Sequence, residues 1–218
     1  MQMTLFGVDS SAVERLDQPG DGGSTPTSTL QKLRVQQCNL PSVSGFVSTW
    51  HYSRSVFGLT DSHCFRVLMD DALVGAAIFG APAGRGVAKK YAPNDERLVE
   101  LRRFCMIDRL PKNSESRVLG IMCRLLRKQG VQRVLSYADP VVGHEGTIYR
   151  AAGFQYLGTT SPRKHVMWNG KKYPDRNIWQ TNFPYHLELR AALQSGEAKR
   201  IAIPGKHIYL RTLRGYPK

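Results

Sequence analysis

The sequence has no apolar run approaching the roughly eighteen residues needed to cross a bilayer, so a membrane-spanning helix is not expected. It has no internal repeat, and its four cysteines, Cys38, Cys64, Cys105 and Cys123, are far apart and form no CxxC pair. That spacing fits reduced, mostly buried thiols better than a zinc site or a disulfide frame. The opening residues, MQMTLFGVDSS, carry neither a basic stretch nor an apolar core, so no secretory leader is expected and the cytoplasm is the expected compartment. Acidic residues are scarce: 17 Asp and Glu stand against 31 Lys and Arg, a formal charge of +14. Such an excess points to a polyanionic partner. No long amphipathic basic helix is present, which argues against an anionic membrane as that partner.

A length of 218 residues suits one cored domain with tails. Residues 1–30 are acidic and end in a Gly/Ser/Thr/Pro stretch, and they are expected to be a mobile arm. Lys32–Leu40 suits a strand and Pro41–Trp50 a short helix. His63–Met69 and Leu73–Phe79 are apolar runs separated by Asp70-Asp71-Ala72, a β-hairpin pattern. Arg97–Ile107 alternates, placing Arg103 in register with Val99, Leu101, Cys105 and Ile107. An arginine in the apolar register either pairs with a carboxylate or serves a site. Asn113 to Ser116 then opens a helix that Gly130 ends, VQRVLSYADP reads as a strand, His144–Ala152 as a short helix and Phe154–Gly158 as a further strand. This succession predicts an α/β fold with parallel neighbours. After residue 159 there are twelve Lys and Arg against three acidic residues. Residues 161–218 are therefore expected to complete the 31–160 core as a basic, β-rich segment that contacts DNA, with WNGKKY as a turn and KHIYLRTL as a late strand.

The stretch EGTIYRAAGFQYLG, directly after SYADP, resembles the closing helix and strand of GNAT acetyltransferases. There a tyrosine precedes a Gly-Phe pair by four residues, the places held here by Tyr149, Gly153 and Phe154. The resemblance implies a central mixed β-sheet flanked by helices, and a Tyr149 able to give a proton to a leaving group. The loop before the middle helix, DRLPKNSESRVLG, lacks the glycines that cradle a CoA pyrophosphate in that family. WHYSR, ELRRFCMIDRLPKNSESRVLG and SYADPVVGHEGTIYRAAGF together resemble the Mom family of bacteriophage DNA-modification proteins. That likeness implies a transferase that adds a carbamoylmethyl group to adenine N6 in double-stranded phage DNA, protecting it from restriction in the host bacterial cytoplasm. The alternatives are an acetyl-CoA-dependent N-acetyltransferase of a protein or small amine, and a DNA-binding module without catalysis.

Adenine N6 is a weak nucleophile because its lone pair is delocalised into the ring, so a transferase must orient it and take up a proton. Asp139, at the end of a strand, is the candidate for that work, or else it caps an Asp-Pro turn. Tyr149 is the candidate acid or donor contact. Tyr52 and His51 would hold the base, with Trp50 and Phe57 able either to stack on it or to lie in the core. Arg102, Arg103, Ser114, Ser116 and Arg117 would hold the donor, an acyl-CoA or another small molecule. Arg163, Lys164, Lys171, Lys172 and Arg176 would meet DNA phosphates. His51, Tyr52, Asp139, His144 and Tyr149 also offer donors for an iron ion.

Overall fold

The computed structural model describes residues 32–59 and 63–213; the expected arm at 1–30 lies outside them. The fold is mixed α/β, as expected, with a large, mostly antiparallel sheet flanked by helices and a smaller sheet of three strands. The large sheet has the order β1 (Arg34–Cys38), β2 (His63–Met69), β3 (Ala72–Gly80), β4 (Leu98–Met106), β5 (Arg133–Ala138), β10 (His207–Thr212), β6 (Gln155–Thr159). The small one has β8 (Lys171–Pro174), β7 (Arg163–Trp168), β9 (Lys199–Ile203). The chain divides into two compact units. The first takes the described residues up to Ser136, Thr147–Gln155 and those from Tyr209 on; the second takes Tyr137–Gly146 and Tyr156–Ile208.

In the first unit, Pro41 at the start of α1 (Pro41–Trp50) supplies a fixed helical φ where its missing N–H costs nothing. Val43, Phe46 and Val47 bury the inner face of that helix. Asp70 and Asp71 close the β2–β3 hairpin with φ of 48° and 65°, the left-handed pair that suits strand twist and that acidic residues tolerate. A short helix, α2 (Val87–Tyr91), follows the Gly- and Pro-rich break and had no clear signal in the sequence. The long helix α3 (Ser114–Lys128) buries Val118, Leu119, Met122, Cys123 and Leu126. The short helix α4 (Thr147–Ala151) stops at Gly153, whose φ of 76° is open to glycine at no steric cost.

Two departures from the sequence pattern shape β4. Phe79 faces Leu101 and Ile78 faces Arg103, so Arg102 is an extra residue, a β-bulge that breaks the expected strict alternation. On its other side β4 pairs in parallel with β5 only at Leu98, Val99 and Glu100. Beyond Glu100 the two strands part. β10, the last strand in sequence, lies between β5 and β6, so those two are not neighbours despite their closeness in sequence.

The second unit has its own core, formed by Val166, Ile178, Leu189, Ala192 and Ala198 under α5 (His186–Ser195), a helix not anticipated from the sequence. Asn169 and Gly170, with φ of 46° and 71°, make the expected β7–β8 turn. Where β9 leads to β10, Thr160 N–H donates to the Lys206 carbonyl and Lys206 N–H to the Thr160 hydroxyl, each at 2.9 Å. A Cβ on Gly205 would stand 1.8 Å from the Thr160 carbonyl oxygen. Backbone cannot yield as a side-chain tip does. Gly205→Ala should therefore lower stability by about 2 kcal/mol or more through overpacking, while Gly170→Ala, with open space around it, should cost clearly less in the same denaturant titration.

Candidate active site

The parting of β4 and β5 in the first unit leaves the Arg103 guanidinium half-buried. Its Nε donates to the Ser55 carbonyl at 2.9 Å and a terminal nitrogen donates to the Arg102 carbonyl at 2.8 Å. Burial pulls its pKa below the ordinary value, and the nearby Tyr52 phenol partly offsets this. No carboxylate among the described residues lies within ion-pair distance of Arg103, so the pairing expected of a buried arginine is replaced by bonds to carbonyls. The Ser55 carbonyl also accepts from the Ser53 hydroxyl at 3.3 Å. His51 is buried, with Nδ1 2.8 Å from the Ser53 hydroxyl and accepting from Ser53 N–H at 3.1 Å. Accepting at Nδ1 places the proton of the neutral ring on Nε2. The Tyr52 ring lies 4.3 Å from the His51 ring.

Tyr149, on α4, packs between Phe154 and Tyr209, with ring centroids 5.6 and 5.3 Å away. Burial pushes its phenol pKa up, with the Ser136 hydroxyl beside it pulling the other way and Tyr52 and Tyr209 reinforcing the rise. The phenol therefore holds its proton at neutral pH. Arg103, His51, Tyr52, Ser136 and Tyr149 all belong to the first unit.

Helix α3 opens with Asn113 at φ 70° and without a side-chain cap, in place of the cap expected there. Ser114 is fully buried and its hydroxyl donates to the Pro111 carbonyl at 2.6 Å, so it secures the loop. Ser116 and Arg117 line a groove of about 430 Å³ with Gly120, Arg124, Gly153 and Arg211, in which no acidic side chain takes part. Arg124, Arg127 and Arg211 continue into a second groove of about 520 Å³. The sequence pattern did not single out Arg124, Arg127 or Arg211, because only folding brings β10 beside α3. Arg102, by contrast, turns to Glu100, 3.7 Å away, and donates to the Ala81 carbonyl at 3.0 Å.

In the second unit Asp139 accepts from Val141 N–H at 3.1 Å, capping the short 3-10 turn Pro140–Val142. Its carboxylate lies 3.0 Å from Lys206 Nζ and 3.9 Å from Arg163. Although burial pulls upward, Lys206, the Val141 amide and Arg163 together hold its pKa below the usual carboxylate range. Lys206 had no local signal, since its partner is far away in sequence. His165 lies close by; burial first, then Arg163, Lys172 and Arg176, lowers its pKa, against the opposing effect of Asp139.

Directly opposed residues of an antiparallel pair share a face. Val166 packs on α5, so Arg163 and His165, with Lys172 and Lys199 in register near them, occupy the opposite face. Lys164 and Lys171 share the Val166 face. The five expected phosphate contacts are thus divided between two faces, with exposed Arg176 in the turn that follows β8.

The expectation of iron is not supported. Among the described residues no three His, Cys, Asp or Glu side chains gather to hold a metal. Asp139 is instead taken up by Lys206 and Arg163, and exposed His144 contributes its backbone N–H to the Asp139 carbonyl. Trp50, Tyr52 and Phe57 are 42%, 51% and 92% exposed, so neither Trp50 nor Phe57 is a core residue.

The Mom protein family profile matches residues 32–217, most of the chain. The chain belongs to the Mom family. A curated relative, the methylcarbamoylase Mom of Escherichia phage Mu, is 29% identical over 133 residues, which is 59% of this chain and 55% of that protein. The match thus spans about half of the relative's length. Among solved structures, a Bacillus subtilis acetyltransferase in complex with CoA is similar at a TM-score of 0.49 and 11% identity, covering 84% of this chain and all of that one. An IAA acetyltransferase from Bacillus cereus gives 0.49 at 7% identity, covering 83% and 99%. The family match includes the segments that carry His51, Tyr52, Arg103, Asp139 and Tyr149.

Because its folded-state pKa is depressed, Asp139 contributes stability in full above about pH 4, its unfolded value, and loses that contribution as pH falls through the folded value. Asp139→Asn should therefore flatten the acid limb of a stability-versus-pH curve. An unchanged acid limb would mean that the carboxylate is not held as described.

Proposed function

We propose that this protein transfers a small group, carbamoylmethyl, to adenine N6 in duplex DNA. Membership of the Mom family is the observation that carries this reading, and the residue chemistry supports it. The new N–C bond forms as the N6 lone pair attacks the donor carbon and the bond to the leaving group breaks; one N6 proton passes to solvent water, and the leaving group takes up a proton. Tyr149, protonated at neutral pH, is the candidate to deliver that proton, with burial weakening it as an acid and the Ser136 hydroxyl opposing that effect. Asp139, held ionised by Lys206, suits accepting a hydrogen bond from the amine and orienting it better than acting as a strong base. His51 and Tyr52, ring against ring, offer a face and polar edges to an extruded base.

The donor side is read from charge. Ser116, Arg117, Arg124 and Arg211 line a groove with no acid, an arrangement that favours a phosphate-bearing donor. Carbamoylmethyl transfer needs its leaving group on the CH2 carbon, whereas an acyl-CoA would give an N6-amide. When bound, such a donor would supply the group to be transferred; the arginines would fix its anionic part. Arg103 would hold a polar atom of the donor near the parted strands.

The test is incubation of the protein with DNA and a cell extract as donor source, followed by digestion to nucleosides and mass analysis. An adduct on adenine is the expected result. Acetylated protein or amine without a DNA adduct would favour an N-acetyltransferase, and no product would favour a binding module. Tyr149→Phe should cut adenine modification at least about a hundredfold, the scale of lost acid-base catalysis, and Asp139→Asn by about the same factor through lost orientation of the amine, with little change in DNA affinity.

DNA contact in the second unit is assigned to the face carrying Arg163, Lys172 and Arg176 near His165. Replacing Lys172 and Arg176 by Gln should reduce the slope of log affinity against log salt by up to about two. The pair Lys164→Gln and Lys171→Gln, on the opposite face, should leave it nearly unchanged.

A further inference from the structure

Phe57 is 92% exposed, an unusual position for a phenylalanine, and the residues around it hold it there rather than letting it fold inward. Its backbone N–H donates to the Ser55 hydroxyl oxygen at 3.0 Å. Ser55 is in turn fixed through its carbonyl by Arg103 on β4 and by Ser53. On the near side Arg54 N–H closes a turn onto the His51 carbonyl at 2.9 Å, and on the far side Leu59 N–H reaches the Val56 carbonyl at 3.3 Å. Gly58, at φ 70° with nothing near its Cβ position, lets the chain turn back after the tip. The result is an aromatic ring mounted on a tethered loop.

The same loop begins with His51 and Tyr52, and Arg103, which anchors it, lies near the Tyr52 phenol. Exposed Arg54 gives the tip a positive charge in a chain of +14, a surface that suits a phosphate backbone and not an apolar protein groove. A base extruded for chemistry leaves a gap in the duplex, and an apolar side chain inserted there replaces the lost stacking. Phe57 is placed on the same short segment as the side chains suited to receive such a base.

We propose that Phe57 is a wedge that enters the base stack of duplex DNA and fills the place vacated by the target adenine, an inference that rests on reading the protein as a base-modifying enzyme. A wedge gains most where the gap already exists. The test compares the affinity of the full chain for one duplex and for the same duplex carrying a single abasic site. The intact protein should bind the abasic duplex about tenfold more tightly, since unstacking no longer has to be supplied by the protein. Phe57→Ala should bring the two affinities within about twofold, whereas Phe57→Leu, which keeps an apolar wedge, should retain most of the preference. Because the ring is exposed, thermal unfolding of either variant should match the parent.

No preference in the intact protein, or a full preference in Phe57→Ala, would overturn the proposal. So would a concentration-dependent dimer that Phe57→Ala abolishes, which would assign the ring to contact between two copies. The nucleoside analysis separates this from the underlying reading. An adenine adduct without an abasic preference removes the wedge alone; a Phe57-dependent preference without any adduct keeps the insertion and removes the base-modifying reaction.

Discussion

The parting of β4 from β5 after Glu100 is the constraint on which the candidate site in the first unit depends. A strand that loses its neighbour leaves backbone groups and side chains beside an opening, and the bulge at Arg102 sets which side chains turn towards it. Arg103 then has carbonyls instead of a carboxylate to bond. A guanidinium paired with an acid would be neutralised. Hydrogen-bonded to carbonyls, with Glu100 acting on it only at longer range, it is less neutralised than in a direct ion pair while it anchors the 51–59 loop.

The second unit solves the opposite problem. Asp139 sits where β5 ends, and two cations and an amide stabilise its ionised form. That arrangement raises the value of the carboxylate as a fixed dipole and lowers its value as a proton acceptor, because a depressed pKa weakens basicity in proportion. Tyr149 and Asp139 therefore have contrasting environments. Burial pushes the Tyr149 phenol further from ionisation, whereas neighbouring cations favour the ionised Asp139 carboxylate.

Elements with local signatures were legible in the sequence. Pro41 announced α1, the Asp70-Asp71 and Asn169-Gly170 pairs announced hairpins, and Gly153 marked the end of α4. What the sequence did not reveal depends on pairs distant in the chain. A bulge is a relation between two strands, so Arg102 looks like any other residue of an alternating run. The Asp139–Lys206 pair and the placement of β10 beside β5 have no local pattern at all. Ser114 was singled out as a residue to hold the donor, yet its buried hydroxyl turns to the Pro111 carbonyl, a competition between local bonds that residue type alone does not decide.

Charge distribution gives the last step. By sequence, the basic excess concentrates towards the end of the chain, which directs attention to the small sheet. The fold divides it differently. The second unit holds nine Lys and Arg against five Asp and Glu, so the greater part of the +14 belongs to the first unit. Some of the cations in the second unit are also committed internally: Arg200 to Asp175 at 2.8 Å, and Lys206 and Arg163 to Asp139. Phosphate attraction depends on cations that are not already neutralised. The first unit also has paired cations, Lys32, Arg34, Arg102 and Arg133 among them, but it carries exposed Arg54 on the Phe57 loop and an acid-free groove along α3. In the second unit, Arg163, Lys172 and Arg176 around His165 form a local positive patch on the small sheet, so the charge is distributed over both units and is not a property of the end of the chain alone.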